Sequence, residues 1–203
     1  MNKKGLLFII SAPSGTGKTS LCKEAKKFFP DLYYSVSYTT RFPRPGEKDG
    51  EDYHFVSEEE FLEMMNRKRF AEWAEVHGNR YGTTIDSLKG FRLKGIDVIL
   101  DIDGQGAEQL RNVFPGSICV FVLPPSWKRL EERLKSRKTD SKEDISKRLE
   151  NAREELQYIG SYDYVLINDD FNDAVSTLKS IIVAERCRRE RVLARVKGLL
   201  KLR

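Results

Sequence analysis

The chain has 203 residues, of which 39% are hydrophobic and 33% charged, as in a soluble globular protein with one substantial core. No apolar run approaches the roughly 20 residues of a membrane-spanning helix, and the N-terminus lacks signal-peptide features, so we expect a cytoplasmic protein without membrane contact. The net charge of +5 leaves nucleic acid, an anionic surface or small phosphorylated ligands as possible partners.

The cysteines and histidines exclude several kinds of chemistry. Cys22, Cys119 and Cys187 are far apart and lack the paired spacing of a metal site, so we expect buried or half-buried thiols. His54 and His77 alone cannot form a histidine-rich metal centre. The chemistry must therefore use carboxylates, arginines, lysines and backbone amides.

Four short apolar runs rich in β-branched residues predict buried strands: Leu6–Ile10, Ile96–Leu100, Ile118–Leu123 and Tyr164–Ile167. Helical patterns separate these runs. Strands that alternate with helices and are apolar throughout are typical of a parallel sheet with helices on both faces. The sequence therefore predicts an α/β fold.

The stretch from about residue 34 to 86 has a different pattern. Tyr33–Arg41 and Tyr53–Val56 alternate or carry aromatic side chains, and prolines interrupt the segment between them. We predict a small mixed β insertion here. The chain is then one domain, with a core of about residues 1–33, 87–125 and 160–203, the insertion at 34–86, and a helical segment at 126–159.

Capping and periodicity predict the helices. Ser57 and Glu60 form a capping-box pattern, and Ser126 precedes a basic helix, Trp127–Arg137. A polar break at residues 139–142 leads to a second helix that runs to Ile159. The last helix is predicted to start near Asn172 and to continue through the basic segment Arg186–Arg203.

A glycine-rich loop follows the first strand and opens a helix, which is the context that a P-loop requires. Its glycines let successive backbone N–H groups face phosphate oxygens, Lys18 would reach the β- and γ-phosphates, and the Thr19 hydroxyl would ligate Mg²⁺. Ala12 stands where the strict pattern has glycine, so the backbone there cannot need a conformation reserved for glycine. The predicted ATP-binding residues are Ala12, Pro13, Ser14, Gly15, Thr16, Gly17, Lys18, Thr19 and Ser20.

Two arginines three residues apart, Arg41 and Arg44, stand among prolines and suit a phosphate group. With the sequence from Thr39 to Glu47 and Gly50–Phe55, the chain resembles the guanylate kinase family. The resemblance extends from Leu7 to about Glu185. It includes Glu72-Trp73, Tyr81-Gly82-Thr83, Asp101 to Gly106, and Asn168-Asp169-Asp170.

The resemblance implies a P-loop kinase that transfers the γ-phosphoryl group of ATP to GMP, with dGMP as a further acceptor. It implies that Arg41, Arg44, Tyr53 and Tyr81 hold the GMP phosphate, and that Ser37, Glu72, Thr83 and Asp103 contact the guanine base. The chemistry agrees. Guanine offers N1–H and N2 donors to carboxylates and an O6 acceptor to hydroxyls, and such polar pairing discriminates against adenine.

The resemblance also implies a metal site and a lid. Asp101 ends a predicted buried strand and would act on Mg²⁺ through its water shell. Arg133, Arg137 and Arg148 match lid arginines, and Asn168 matches a contact to the ATP base. The residues expected to carry catalysis are Lys18, Arg41, Arg133, Arg137 and Arg148.

Several alternatives stay open at this stage. Tyr53 and Tyr81 could be packing residues, Glu72 an exposed strand carboxylate, and Arg41 and Arg44 partners of a structural carboxylate. Asp101 could cap a helix, and the lid arginines could lie on a solvated face. The whole chain could be a kinase for another acceptor or a peptide-binding module without catalysis. The basic C-terminal helix could bind nucleic acid, although its apolar stripe favours packing or a homo-oligomer contact.

Overall fold

The computed structural model describes residues 4–76, 78–136 and 142–196, apart from the side chains of residues 142–144, 194 and 195. The strands are β1 (Leu7–Ser11), β2 (Leu32–Tyr34), β3 (Tyr38–Thr39), β4 (His54–Phe55), β5 (Phe70–Val76), β6 (Asn79–Thr84), β7 (Asp97–Asp101), β8 (Ile118–Leu123) and β9 (Tyr164–Ile167). The helices are α1 (Lys18–Phe28), α2 (Glu58–Asn66), α3 (Ile85–Leu93), α4 (Gly104–Val113), α5 (Trp127–Ser136), α6 (Lys142–Glu155), α7 (Phe171–Arg186) and α8 (Arg189–Arg195). A 3₁₀ helix, Leu156–Ser161, follows α6.

A five-stranded parallel sheet has the order β2-β7-β1-β8-β9. The four predicted strands are confirmed, with β1 and β7 each displaced by one residue. The fifth, β2, was not predicted, because its aromatic residues resemble those of the insertion that follows. Leu32–Tyr34 instead pairs with β7 at the edge of the parallel sheet.

Both faces of this sheet are buried. Phe8 and Ile10 of β1 face one core cluster, which also contains residues of α1 and α7, whereas Leu7 and Ile9 face a second cluster with residues of α3 and α4. Side chains alternate along a strand, so a strand covered on both faces must be apolar at every position. The predicted helix–sheet–helix layering is confirmed.

A separate four-stranded mixed sheet, with the order β4-β3-β6-β5, occupies residues 38–84. It lies in the stretch where the sequence predicts a mixed β insertion. Helix α2 follows β4, and its Ser57 cap accepts a hydrogen bond from the Glu60 amide at 3.1 Å, as the capping-box pattern predicts.

The Gln109 side chain of α4 pairs with the outer edge of this second sheet. Its Oε1 accepts from the Trp73 amide at 3.2 Å, and its Nε2 donates to the Trp73 carbonyl at 2.9 Å. Trp73 lies on β5, which is the edge strand. The two bonds tie the second sheet to a helix of the core.

The C-terminal region differs from the prediction of one continuous helix. Helix α7 ends at Arg186, and the backbone at Arg188 is extended, with φ −51° and ψ 135°. The Arg188 side chain donates to both carboxylate oxygens of Glu185 at 2.7 and 2.8 Å, which stabilises this turn. The basic tail 197–203 lies outside the described residues, and with it Leu199 and Leu200 of the predicted apolar stripe, whereas Val192, Leu193 and Val196 are described.

Two further expectations concern the cysteines and the membrane. Cys22 and Cys119 are buried as expected, but Cys187, which follows the last residue of α7, is exposed. In the part of the chain that the structure describes, no helix combines the length and apolar character required to cross a membrane.

A buried carboxylate anchors the C-terminal helices to the sheet. Asp97, at the start of β7, accepts from the Leu6 amide at 2.6 Å and from Arg186 Nε at 2.8 Å. Arg191 Nη2 of α8 lies 3.7 Å from the same carboxylate. Asp31 also pairs with Arg186, but its side chain is 72% exposed.

We expect Asp97→Ala to lower the free energy of unfolding by about 3 kcal/mol, because it removes the buried carboxylate that the largely buried Arg186 and Arg191 guanidinium groups face. The matched control, Asp31→Ala, removes an exposed partner of the same arginine and should cost less than about 1 kcal/mol. Urea denaturation of both variants checks this. Equal losses would show that Asp97 is not the anchor.

Candidate active site

A cleft of about 400 Å³ lies between the loop after β1 and the second sheet. Most of the residues predicted from the sequence line it: Ala12, Pro13, Ser14, Gly15, Thr16, Gly17, Lys18, Thr19, Ser20, Ser37, Arg41, Arg44, Tyr53, Glu72, Tyr81, Asp101, Asp103 and Arg148. The structure therefore brings the predicted donor and acceptor residues to one place.

The loop has the backbone of an anion site. Gly17, which precedes α1, has a φ of 87° and no side-chain cap, so the helix begins with amides that no side chain occupies. Such a helix N-terminus favours a negatively charged ligand. Ala12 is buried, and its φ is not positive, which confirms that this position does not need glycine. Lys18 Nζ donates to the Ile102 carbonyl at 2.8 Å.

Asn168 supports this loop from behind. It is buried, does not line the cleft, and its Nδ2 donates to the Thr16 carbonyl at 2.6 Å. A Cβ atom on Gly17 would lie 2.9 Å from the same Nδ2, so glycine, which the φ of 87° already favours here, also leaves room for this contact. The contact of Asn168 with an ATP base stays a prediction.

Asp101 and Thr19 meet at the carboxyl end of β7. The Thr19 hydroxyl donates to Asp101 Oδ2 at 2.6 Å, and both residues line the cleft. The helix-cap alternative applies to Asp103 instead, which accepts from the Gly106 amide at 2.7 Å as the N-cap of α4. A carboxylate and a hydroxyl are hard oxygen donors that fit Mg²⁺. The described residues contain no cluster of three or more possible metal ligands, so a cation here would draw further ligands from the nucleotide and water.

Glu47 holds the arginine segment together. Arg41 Nη2 donates to both Glu47 oxygens at 2.9 and 3.0 Å, and the Arg44 amide donates to Glu47 Oε2 at 2.7 Å. Arg41 thus has the structural carboxylate partner that the sequence left open. Both arginines nevertheless line the cleft. The sequence analysis missed Glu47, although it stands in the same proline-rich segment.

Glu72 is a buried carboxylate, which excludes the exposed-strand alternative. Only 4% of the residue is exposed, and burial raises its pKa to about 8, against hydrogen bonds from Thr83 that lower it. The Ser37 and Thr83 hydroxyls lie 3.0 Å apart beside it. A Cβ atom on Gly106 would lie 2.7 Å from Glu72 Oε2, so glycine makes room for the carboxylate. Thr83 itself is buried and does not line the cleft, so it acts on the cleft through Glu72 and Ser37.

Helix α6 supplies one wall of the cleft. Arg148 Nη1 donates to the Ser14 hydroxyl at 3.1 Å, and Asn151 and Glu155 line the cleft from the same helix face. Burial raises the pKa of Glu155 to about 7. The sequence analysis missed Asn151 and Glu155, although their spacing from Arg148 marks a common face.

A second lid arginine, Arg133, does not reach the cleft. It donates instead to the Asp169 carbonyl at 3.3 Å. Arg137 lies outside the described residues. Their contact with phosphate stays a prediction.

The guanylate kinase family model matches residues 4–185. The chain belongs to the guanylate kinase family. It is 54% identical to a guanylate kinase of Geobacter metallireducens, with 97% of each chain covered, and 48% identical to one of Escherichia coli O157:H7, with 97% of this chain and 96% of the relative covered. The crystal structure of guanylate kinase from Anaplasma phagocytophilum has a TM-score of 0.75 at 33% identity, covering 93% of this chain and 90% of that one.

We expect Glu47→Gln to weaken GMP binding by roughly tenfold, because the variant loses the charged bonds that orient the Arg41 side chain and the Arg44 backbone. Glu51→Gln is the matched control, since Glu51 lies in the same segment but its side chain is 67% exposed. Calorimetric titration with GMP measures both. Tighter GMP binding by Glu47→Gln would mean that Glu47 competes with the phosphate.

Proposed function

We propose that the protein transfers the γ-phosphoryl group of ATP to GMP, giving ADP and GDP, in the cytoplasm, and so supplies guanine nucleotides. The observation that carries this proposal is a single cleft lined by the P-loop on one side and the buried Glu72 carboxylate on the other. The P-loop holds polyphosphate, and the Glu72 carboxylate suits a base with N–H donors. We expect dGMP as a second acceptor.

Guanine recognition rests on matched donors and acceptors. The Glu72 and Asp103 carboxylates accept from guanine N1–H and the N2 amino group, while the Ser37 hydroxyl, 3.0 Å from that of Thr83, donates to O6. Adenine has a lone pair at N1 and would leave the buried Glu72 carboxylate without a partner. A polar site of this kind discriminates strongly against the wrong base.

Phosphoryl transfer needs no strong general base, because the GMP phosphate is already anionic near neutral pH. The difficulty is to bring two polyanions together in line. Arg41, Arg44, Tyr53 and Tyr81 hold the acceptor phosphate, and Lys18 and Arg148 neutralise charge on the donor side. Lys18 must leave the Ile102 carbonyl to reach the phosphates.

Thr19 and Asp101 would hold Mg²⁺ together with the nucleotide, and the ion would neutralise phosphate charge and orient the γ-phosphoryl group. Arg133 and Arg137 would add further positive charge beside the phosphates when the segment of α5 and α6 closes over the bound nucleotides. Closure would also exclude water, which would otherwise hydrolyse ATP.

Offering GMP, AMP, CMP and UMP separately with ATP and Mg²⁺ in an ADP-release assay tests the proposal. We expect turnover with GMP, little with the other three, and a loss of at least about 100-fold in kcat for Lys18→Ala, which should still bind GMP. Turnover with another monophosphate would overturn the acceptor assignment. No turnover with any acceptor would favour a binding module.

The raised pKa of Glu72 predicts a pH dependence of GMP binding. The ionised carboxylate accepts from both guanine N–H groups, whereas the protonated acid carries a hydrogen that opposes one of them, and with a pKa of about 8 in the free protein Glu72 is mostly protonated at pH 7. GMP affinity should therefore rise roughly five- to tenfold from pH 7 to pH 8.5. Titration calorimetry measures it, and Glu72→Gln should bind weakly at both pH values. The same pH slope in that variant would assign the effect to another group.

A further inference from the structure

Tyr34 lies at the end of β2, and its hydroxyl donates to Asp101 Oδ1 at 2.5 Å. Its ring packs against the core cluster that β1 and α1 share. Among the described residues that line the cleft, Tyr34 is absent. The hydrogen bond to Asp101 is therefore the direct contact between Tyr34 and a residue of the cleft.

The two oxygens of Asp101 have different donors. Thr19 of α1 donates to Oδ2 at 2.6 Å, and Tyr34 of β2 donates to Oδ1. One donor alone would let the carboxylate rotate about that bond. Two donors from different elements, one on each oxygen, determine the plane of the carboxylate and leave its remaining lone pairs for the cleft.

We infer that Tyr34 is a positioning residue that orients the Asp101 carboxylate for a divalent cation bound with the nucleotide. This inference rests on the metal role of Asp101 in the proposed function. Groups that hydrogen-bond to a metal ligand set its orientation, and their loss lowers metal affinity. The hydroxyl of Tyr34 is such a group, and its packed ring determines where that hydroxyl lies.

The neighbouring Tyr33 provides a matched control. Successive side chains of a strand point to opposite faces, and Tyr33 stacks on Phe91 with the ring centroids 3.6 Å apart. Tyr33 packs against the second core cluster. Tyr33→Phe removes a hydroxyl from the same strand, as Tyr34→Phe does, but this hydroxyl does not contact Asp101.

The test measures ADP binding by titration calorimetry in excess Mg²⁺ and in EDTA, for the wild type, Tyr34→Phe, Tyr33→Phe and Asp101→Asn. We define the magnesium gain as the ratio of the two dissociation constants. Tyr34→Phe should lower this gain roughly three- to tenfold while the value in EDTA stays unchanged. Tyr33→Phe should keep the full gain.

In the kinase assay, Tyr34→Phe should need more Mg²⁺ for half-maximal turnover, with the KM for GMP unchanged and kcat restored at high Mg²⁺.

The other outcomes separate the two hypotheses. If Asp101→Asn loses the gain and Tyr34→Phe keeps it, the inference is overturned and the metal role of Asp101 stands. If Asp101→Asn keeps the gain, both the inference about Tyr34 and the proposed metal role of Asp101 fail. If Tyr34→Phe weakens ADP equally in Mg²⁺ and EDTA, Tyr34 supports the P-loop rather than the cation, and the inference is again overturned.

Discussion

The parallel pairing of β1 with β7 is the interaction on which the site depends. Their register places Ile10 beside Asp101, so the P-loop that follows one strand begins next to the carboxylate that ends the other. Both faces of these strands are buried, which leaves little freedom for the register to shift. The donor half of the cleft is therefore set by the packing of the core.

The acceptor half has a different origin. Glu72, Thr83 and Tyr81 stand on the second sheet, whereas Asp103 belongs to the turn between β7 and α4 of the core. The residues proposed to read the base are thus divided between the second sheet and the core. Gly106 lets them meet, because any side chain there would collide with the Glu72 carboxylate. The relative position of the two sheets then determines whether the base-reading set is complete.

Local patterns predicted much of this structure. Four strands, the P-loop, the Ser57 cap and the mixed insertion could be read from the sequence because each depends on neighbouring residues. Partners distant in the chain could not. Tyr34 belongs to an aromatic stretch in the sequence, and only the pairing of β2 with β7 brings it to Asp101, while Asn168 supports Thr16 from 152 positions away. The break before α8 could not be predicted either, because the sequence has no proline or glycine there.

The side chain of Gln109 has a consequence for how this molecule meets its neighbours. β5 is the outermost strand of the second sheet, and an open strand edge can accept a strand from another chain. The amide of Gln109 occupies both backbone groups of Trp73, at the middle of that edge. A single glutamine thereby takes the place of an additional strand and discourages the sheet from growing into its neighbours in a crowded solution.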